Sequence, residues 1–215
     1  MKRSLILIVL AASAAVCALA AEEIYGDTTI ALRYEGEEMP LALSAEAMAL
    51  PPGTKVAVLE LEDGATVEIQ LLADETPQTA CNFVALVEDG FYDGIPFHRV
   101  VEDFVVQAGD ATRVGRENPE ISLEVEPDVR ECLRGAVSMA RMARQDEATG
   151  EVIYGATSPT QFFILKKDSP HLDANFCVFG VVVTGMDAVD GIQQEDLIKR
   201  IRILTVEDNR AAVED

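Results

Sequence analysis

Between Pro96 and Asp110 the chain reads PFHRVVEDFVVQAGD, and two of its residues are out of character. Arg99 and Gln107 interrupt short apolar runs of Phe and Val, each suited to a strand and joined by an acidic turn. An unpaired charge in a half-buried sheet is costly, because a guanidinium gives up hydration that apolar neighbours cannot replace. Arg99 therefore either has a local carboxylate, Glu102 or Asp103, or faces a site where another group accepts its hydrogen bonds. The remaining candidates for chemistry are sparse. Two histidines, His98 and His171, are too few for a metal centre. Cys81, Cys132 and Cys177 are widely spaced, lack a C-x-x-C pattern, and read as small buried hydrophobes.

Stepping outward from these residues, the patterning predicts mostly strands. KVAVLELEDGATVEIQLL alternates on both sides of Glu62-Asp63-Gly64-Ala65, the mark of a hairpin with an Asp-Gly turn. In ETPQTACNFVALVEDGFY, Thr76 suits an N-cap, Pro77 the first helical position and Gly90 the stop. Ala80, Phe83, Val84 and Val87 supply one apolar face of that helix. Residues 113–131 read as irregular and GAVSMARM as a strand, followed by a charged loop from about Ala143 to Ser158. TQFFIL, FCVFGVVV and IKRIRILTV are further strands, with a short helix around Met186 to Gln193. Many short strands with few helices predict a mainly β barrel or sandwich.

The 215 residues suffice for one domain with extensions. Acidic residues number 38 against 17 basic ones, a net charge of −21, which repels nucleic acid and anionic lipid and excludes both as expected partners. Lys2 and Arg3, an apolar run from Leu5 to Val16 and Ala18-Leu19-Ala20 have the form of a signal peptide over residues 1–20. The expectation is an exported, periplasmic location with no stable membrane insertion after cleavage. An uncleaved N-terminal anchor is the rival, although the run is shorter than the roughly 20 residues of a span. Residues 21–54, with the alternating TTIALRYEGE and the break Pro51-Pro52-Gly53, read as an extension or linker, and residues 209–215 as a tail.

FHRVVEDFVVQAGD, GAVSMA, TQFFI and LDANFCVFGVVVTGMDAVDGI, in this order and after a helix of the TPQTACNFVALV kind, resemble the cyclophilins, the cyclosporin-binding peptidyl-prolyl cis-trans isomerases. The resemblance covers residues 55–208. It implies a closed eight-stranded antiparallel barrel capped by two helices, with a groove on its outer surface. It also implies roles: Arg99 as the functional arginine, Phe104, Val105, Gln107, Ala140, Gln161, Phe163, Leu172 and Phe176 as substrate-binding groups, and Arg141 after the S-M-A run. A tryptophan that contacts cyclosporin in many eukaryotic members is His171 here, which weakens the expectation of drug binding.

The family's arginine and glutamine share one site, which selects a three-residue loop, Glu102-Asp103-Phe104, and pairs Arg99 with Gln107. Rotation about an amide faces a barrier of about 18–20 kcal/mol, and an X-Pro bond exchanges in tens to hundreds of seconds. Lowering that barrier takes no metal, cofactor or nucleophile. It takes a pocket for the proline ring and a donor for the prolyl nitrogen as the amide twists and its lone pair returns. The expected partners are proline-containing peptides or unfolded chains, and the expected state a monomer. The alternative is a proline-peptide-binding module or chaperone with the same groove and little turnover, favoured by the long Ala143–Ser158 segment.

Overall fold

The computed structural model describes residues 43–121, 123–126, 130–147 and 149–207. The signal-peptide reading, the TTIALRYEGE strand and the C-terminal tail lie outside the described residues.

Eight strands form one antiparallel sheet: β1 (Lys55–Leu61), β2 (Thr66–Leu71), β3 (Arg99–Val101), β4 (Val105–Ala108), β5 (Ala136–Gln145), β6 (Val152–Leu165), β7 (Val178–Thr184) and β8 (Ile198–Thr205). Their spatial order is β3-β4-β6-β5-β7-β2-β1-β8. No ladder joins β3 to β8. The gap is spanned just before β3, where Pro96 bridges Leu197 and Phe97 N donates to Asp196 O at 2.8 Å. Gly94 N donates to Ile198 O, and Ile198 N to Ile95 O. The expected barrel closure is thus a short backbone seam rather than a full strand pairing.

Period-two alternation gives this sheet two chemically different faces. Ala57, Ile69, Val106, Val137, Phe162, Ile164 and Phe179 point inward to one core. The helix α2 (Pro77–Glu88), second after the short α1 (Ala45–Met48), plugs that core with Phe83. The Phe83 ring lies 5.2 Å from Tyr92, 5.6 Å from Phe162 and 5.0 Å from Phe179, and each such buried ring contributes about 1.5–3 kcal/mol. A second short helix, α3 (Met186–Gly191), buries Val189 against the same core.

The predicted start of α2 is right in position and different in chemistry. Pro77 is the first helical residue, but Thr76 makes no side-chain cap; its Oγ1 donates back to Leu72 O. The carboxylate of Glu126 takes that place, accepting from Gln78 N at 2.9 Å and Thr79 N at 2.7 Å. Glu126 is buried, and the free N–H groups and positive dipole end of the helix stabilise a carboxylate there.

Two other readings are corrected. The Ala143–Ser158 segment is not a loop: β5 runs on to Gln145 and β6 begins at Val152, so only the turn between them is irregular. This ribbon projects beyond the barrel with both faces largely exposed, so its apolar residues, Met142, Val152 and Ile153 among them, do not alternate with polar ones and the segment reads as loop. Residues 43–50, placed in the linker, are instead packed. Ala47 is fully buried with Val56, Val58 and Val206 on the outer face of the sheet, beside Leu43, Leu50 and Leu204. Buried Glu68 on β2 anchors the segment, accepting from Ser44 N, Ser44 Oγ and Thr184 Oγ1. Among the cysteines, Cys132 and Cys177 are buried as expected, whereas Cys81, half-buried on α2, is disulfide-bonded.

Candidate active site

The acidic turn between β3 and β4 sets the site. The register pairs Arg99 with Gln107, Val100 with Val106 and Val101 with Val105, the three-residue loop expected. Asp103 takes a positive φ of 54°, a conformation that Asp tolerates better than most residues and that lets so short a loop close. The row continues across the sheet: Gln107 lies opposite Phe163, and Phe163 opposite Ser138. Arg99, Gln107 and Phe163 therefore share the outer face, while Phe162 points into the core.

Arg99 Nη1 donates to Gln107 Oε1 at 3.3 Å, and Gln107 Nε2 donates to Gln161 Oε1 at 3.0 Å. The guanidinium carbon stands 5.7 Å from the centre of the Phe104 ring, within cation–π range. Neither Glu102 nor Asp103 forms a salt bridge with Arg99 among the described residues. An amide oxygen and a ring hold the group in place without neutralising it. The cation sits exposed at the rim with donors to spare, which resolves the conflict between its charge and its strand.

Below that rim lies a second apolar cluster, on the outside of the barrel. Val105, Ala140, Phe163, Leu172 and Phe176 belong to it, with Phe104 packed against it. The rings of Phe163 and Phe176 meet edge to face at 5.4 Å, and Tyr154 meets Phe176 in the same way at 5.0 Å. His171 stacks on Phe104 at 5.8 Å, so the imidazole forms one wall beside the ring that supports Arg99. The structure thus brings Arg99, Phe104, Val105, Gln107, Gln161, Phe163, Leu172 and Phe176 together around one apolar cluster with the exposed Arg99 on its edge.

Arg141 behaves differently from the rest. Its guanidinium donates to Gly155 O at 2.9 and 3.1 Å, to Tyr154 O at 3.3 Å and to Asn175 O at 2.5 Å. It also lies 5.5 Å from the Tyr154 ring centre. The register shifts on either side of Arg141, leaving β6 carbonyls without strand partners, and the side chain satisfies them. Its side chain is spent on the protein, so only its backbone is available to a ligand. Tyr154 was missed from the sequence because it falls in the segment read as loop; its aromatic character in the apolar run Val152-Ile153-Tyr154 was the available signal.

His98 lies half-buried behind Arg99, and its Nδ1 has no hydrogen-bond partner. Burial pushes its pKa below the ordinary histidine value, an effect that nearby Asp110 only partly opposes. A neutral imidazole is favoured there.

Comparison with known proteins agrees with this arrangement. Residues 56–208 match the family model described as cyclophilin type peptidyl-prolyl cis-trans isomerase/CLD. Peptidyl-prolyl cis-trans isomerase B of Bacillus subtilis is 33% identical over 153 residues, which are 69% of this chain and 98% of that protein. Peptidyl-prolyl cis-trans isomerase A of Dickeya dadantii is 35% identical over 162 residues, covering 72% and 80%. Among solved structures, a cyclophilin type isomerase of Cryptosporidium parvum matches with a TM-score of 0.59 at 23% identity, over 71% of this chain and 98% of that one, a likeness of fold. With an eight-stranded antiparallel sheet, two capping helices and this relationship over more than two thirds of its length, the chain is an enzyme of the cyclophilin type peptidyl-prolyl cis-trans isomerase family.

Proposed function

We propose that this chain isomerises X-Pro bonds by holding the proline ring on the Phe163–Phe176 floor while Arg99 donates to the prolyl nitrogen. The observation that carries it is the un-neutralised guanidinium fixed by Gln107 and Phe104 at the edge of an aromatic-lined apolar cluster. In the planar ground state the prolyl nitrogen lone pair is delocalised and accepts poorly. As the amide twists, the pair returns to nitrogen and the donor interaction strengthens, so the transition state is bound more tightly than either isomer. Apolar walls keep water from the carbonyl and strengthen that interaction. Gln107, held by Gln161, orients the arginine, and the backbone at Ala140 and Arg141 holds the flanking chain. No proton moves, so His98 and His171 have no catalytic task.

The basic start, apolar run and Ala18-Leu19-Ala20 of the leader support export, with clients among exported, folding proteins. Cell fractionation with a C-terminal tag would test that part. For the chemistry, NMR exchange on a short Ala-Pro peptide should show fast cis–trans exchange that collapses in Arg99→Ala. Exchange at the uncatalysed rate with wild-type protein would overturn the isomerase reading for this chain.

A further inference from the structure

The ribbon formed by β5 and β6 starts in the groove and continues past it. β5 has ten residues, yet its edge away from β6 pairs with β7 only at Ala136–Ser138. From residue 139 to 145 that edge has no strand beside it among the described residues. The far edge of β6 is closed at its base, where Leu123 bridges Thr157. The open edge begins at Ala140, on the floor of the groove, and runs outward past Met142, which is 78% exposed.

This edge is held in one orientation. Arg141 ties the ribbon's bulge to Asn175 across the groove, and Tyr154 carries the contact on to Phe176. An ordered edge with unpaired N–H and C=O groups is a template for another strand, and natural proteins usually blunt such edges with proline, bulges or short length. The register irregularities flank Arg141 at the base of the ribbon; beyond them Ala143 to Gln145 pair regularly with β6, and the stretch contains no proline.

We propose that residues 142–145 form an extended subsite, where the client chain whose proline lies in the groove continues as a third strand of the ribbon. This rests on the groove reading given above and deepens it. At about 3.3 Å per residue the edge accommodates about four client residues on one side of the proline. The preferred client is therefore an extended, unfolded polypeptide, without a second proline in that stretch, rather than a tight turn.

The test compares a four-residue Ala-Pro peptide with two twelve-residue peptides that extend it on one side or the other. Affinity is read by fluorescence anisotropy, and exchange by NMR in the same samples. One extension should bind about tenfold tighter than the short peptide. N-methylating alternate amides of that extension should remove the gain, because it deletes strand pairing while keeping the side chains. Replacing Arg144 through Ile153 with Asn-Gly should remove it as well. No gain on either side, or a gain that survives both changes, overturns the proposal. So does a dimer in sedimentation that needs residues 142–145 and persists with the long peptide bound. Absence of exchange on the short peptide would refute the isomerase reading alone, since the affinity ratio still decides the subsite.

Discussion

The outer face of this sheet carries two apolar patches, and they differ in what lies at their margins. Over β1 and β8, the patch of Val56, Val58 and Val206 is covered by residues 43–50, with Ala47 sealed in and Glu68 pinning the cover. Over β4, β5 and β6, Val105, Ala140 and Phe163 are buried together with Leu172 and Phe176, and the half-buried Phe104 and Tyr154 pack at the margin. The covered patch is built from small aliphatic residues that pack against a helix turn. The second is built around rings, with the exposed Arg99 fixed at its edge. The first arrangement serves stability; rigid aromatics beside an un-neutralised cation suit the recognition proposed above, because rings present area at little entropic cost.

The largest expected effect separates the two patches. Arg99→Ala should lower kcat/KM by about 10²-fold or more, the usual loss when a transition-state donor is deleted, with the urea midpoint nearly unmoved. The converse belongs to the covered patch. Ala47→Asp buries an unpaired carboxylate and should cost about 2–3 kcal/mol in urea unfolding while the exchange rate per folded molecule stays constant. A drop in that rate would mean the two patches are coupled. A smaller effect sharpens the groove side: Gln107→Ala strands both Arg99 and Gln161 and should cost about tenfold in kcat/KM, or about 1.4 kcal/mol.

The smallest concerns His98. Its folded-state pKa is depressed by burial, so the unfolded chain binds the proton more readily and stability rises with pH through that window. The contribution is fully present above the ordinary value of about 6.5 and is lost as pH falls from there toward the folded value. Urea midpoints between pH 7.5 and 5 should fall less in His98→Gln than in the wild type. Equal slopes would remove the imidazole from the account.

The groove was more legible than its surroundings. Arg99 and Gln107 stand out by type in apolar strands, and alternation puts only one of Phe162 and Phe163 in the core, while the register opposite Gln107 shows that Phe163 is the outward ring. The ribbon was not legible, because a strand pair without a core under it loses the apolar periodicity by which strands are read. Neither was the true cap of α2, since Glu126 is 47 residues from Thr79 in sequence and nothing local marks such a bond. Residues 43–50 were misplaced for a similar reason: alanine and serine read as linker until a facing patch of valines gives them something to bury.

The seam before β3 has a consequence for the arginine itself. β3 is the last stave of the barrel, three residues long, and its only neighbour by ladder is β4. Its other margin is held by the bonds between residues 94–97 and 195–198. Opening there breaks a few hydrogen bonds and leaves the β1–β2–β7 side intact, so amide exchange should be fastest along this margin and slowest in the middle of the sheet. The cation's aim is thus a local equilibrium with its own free energy, separate from that of global unfolding. Warming that loosens the seam would blur the site while the molecule as a whole is still folded.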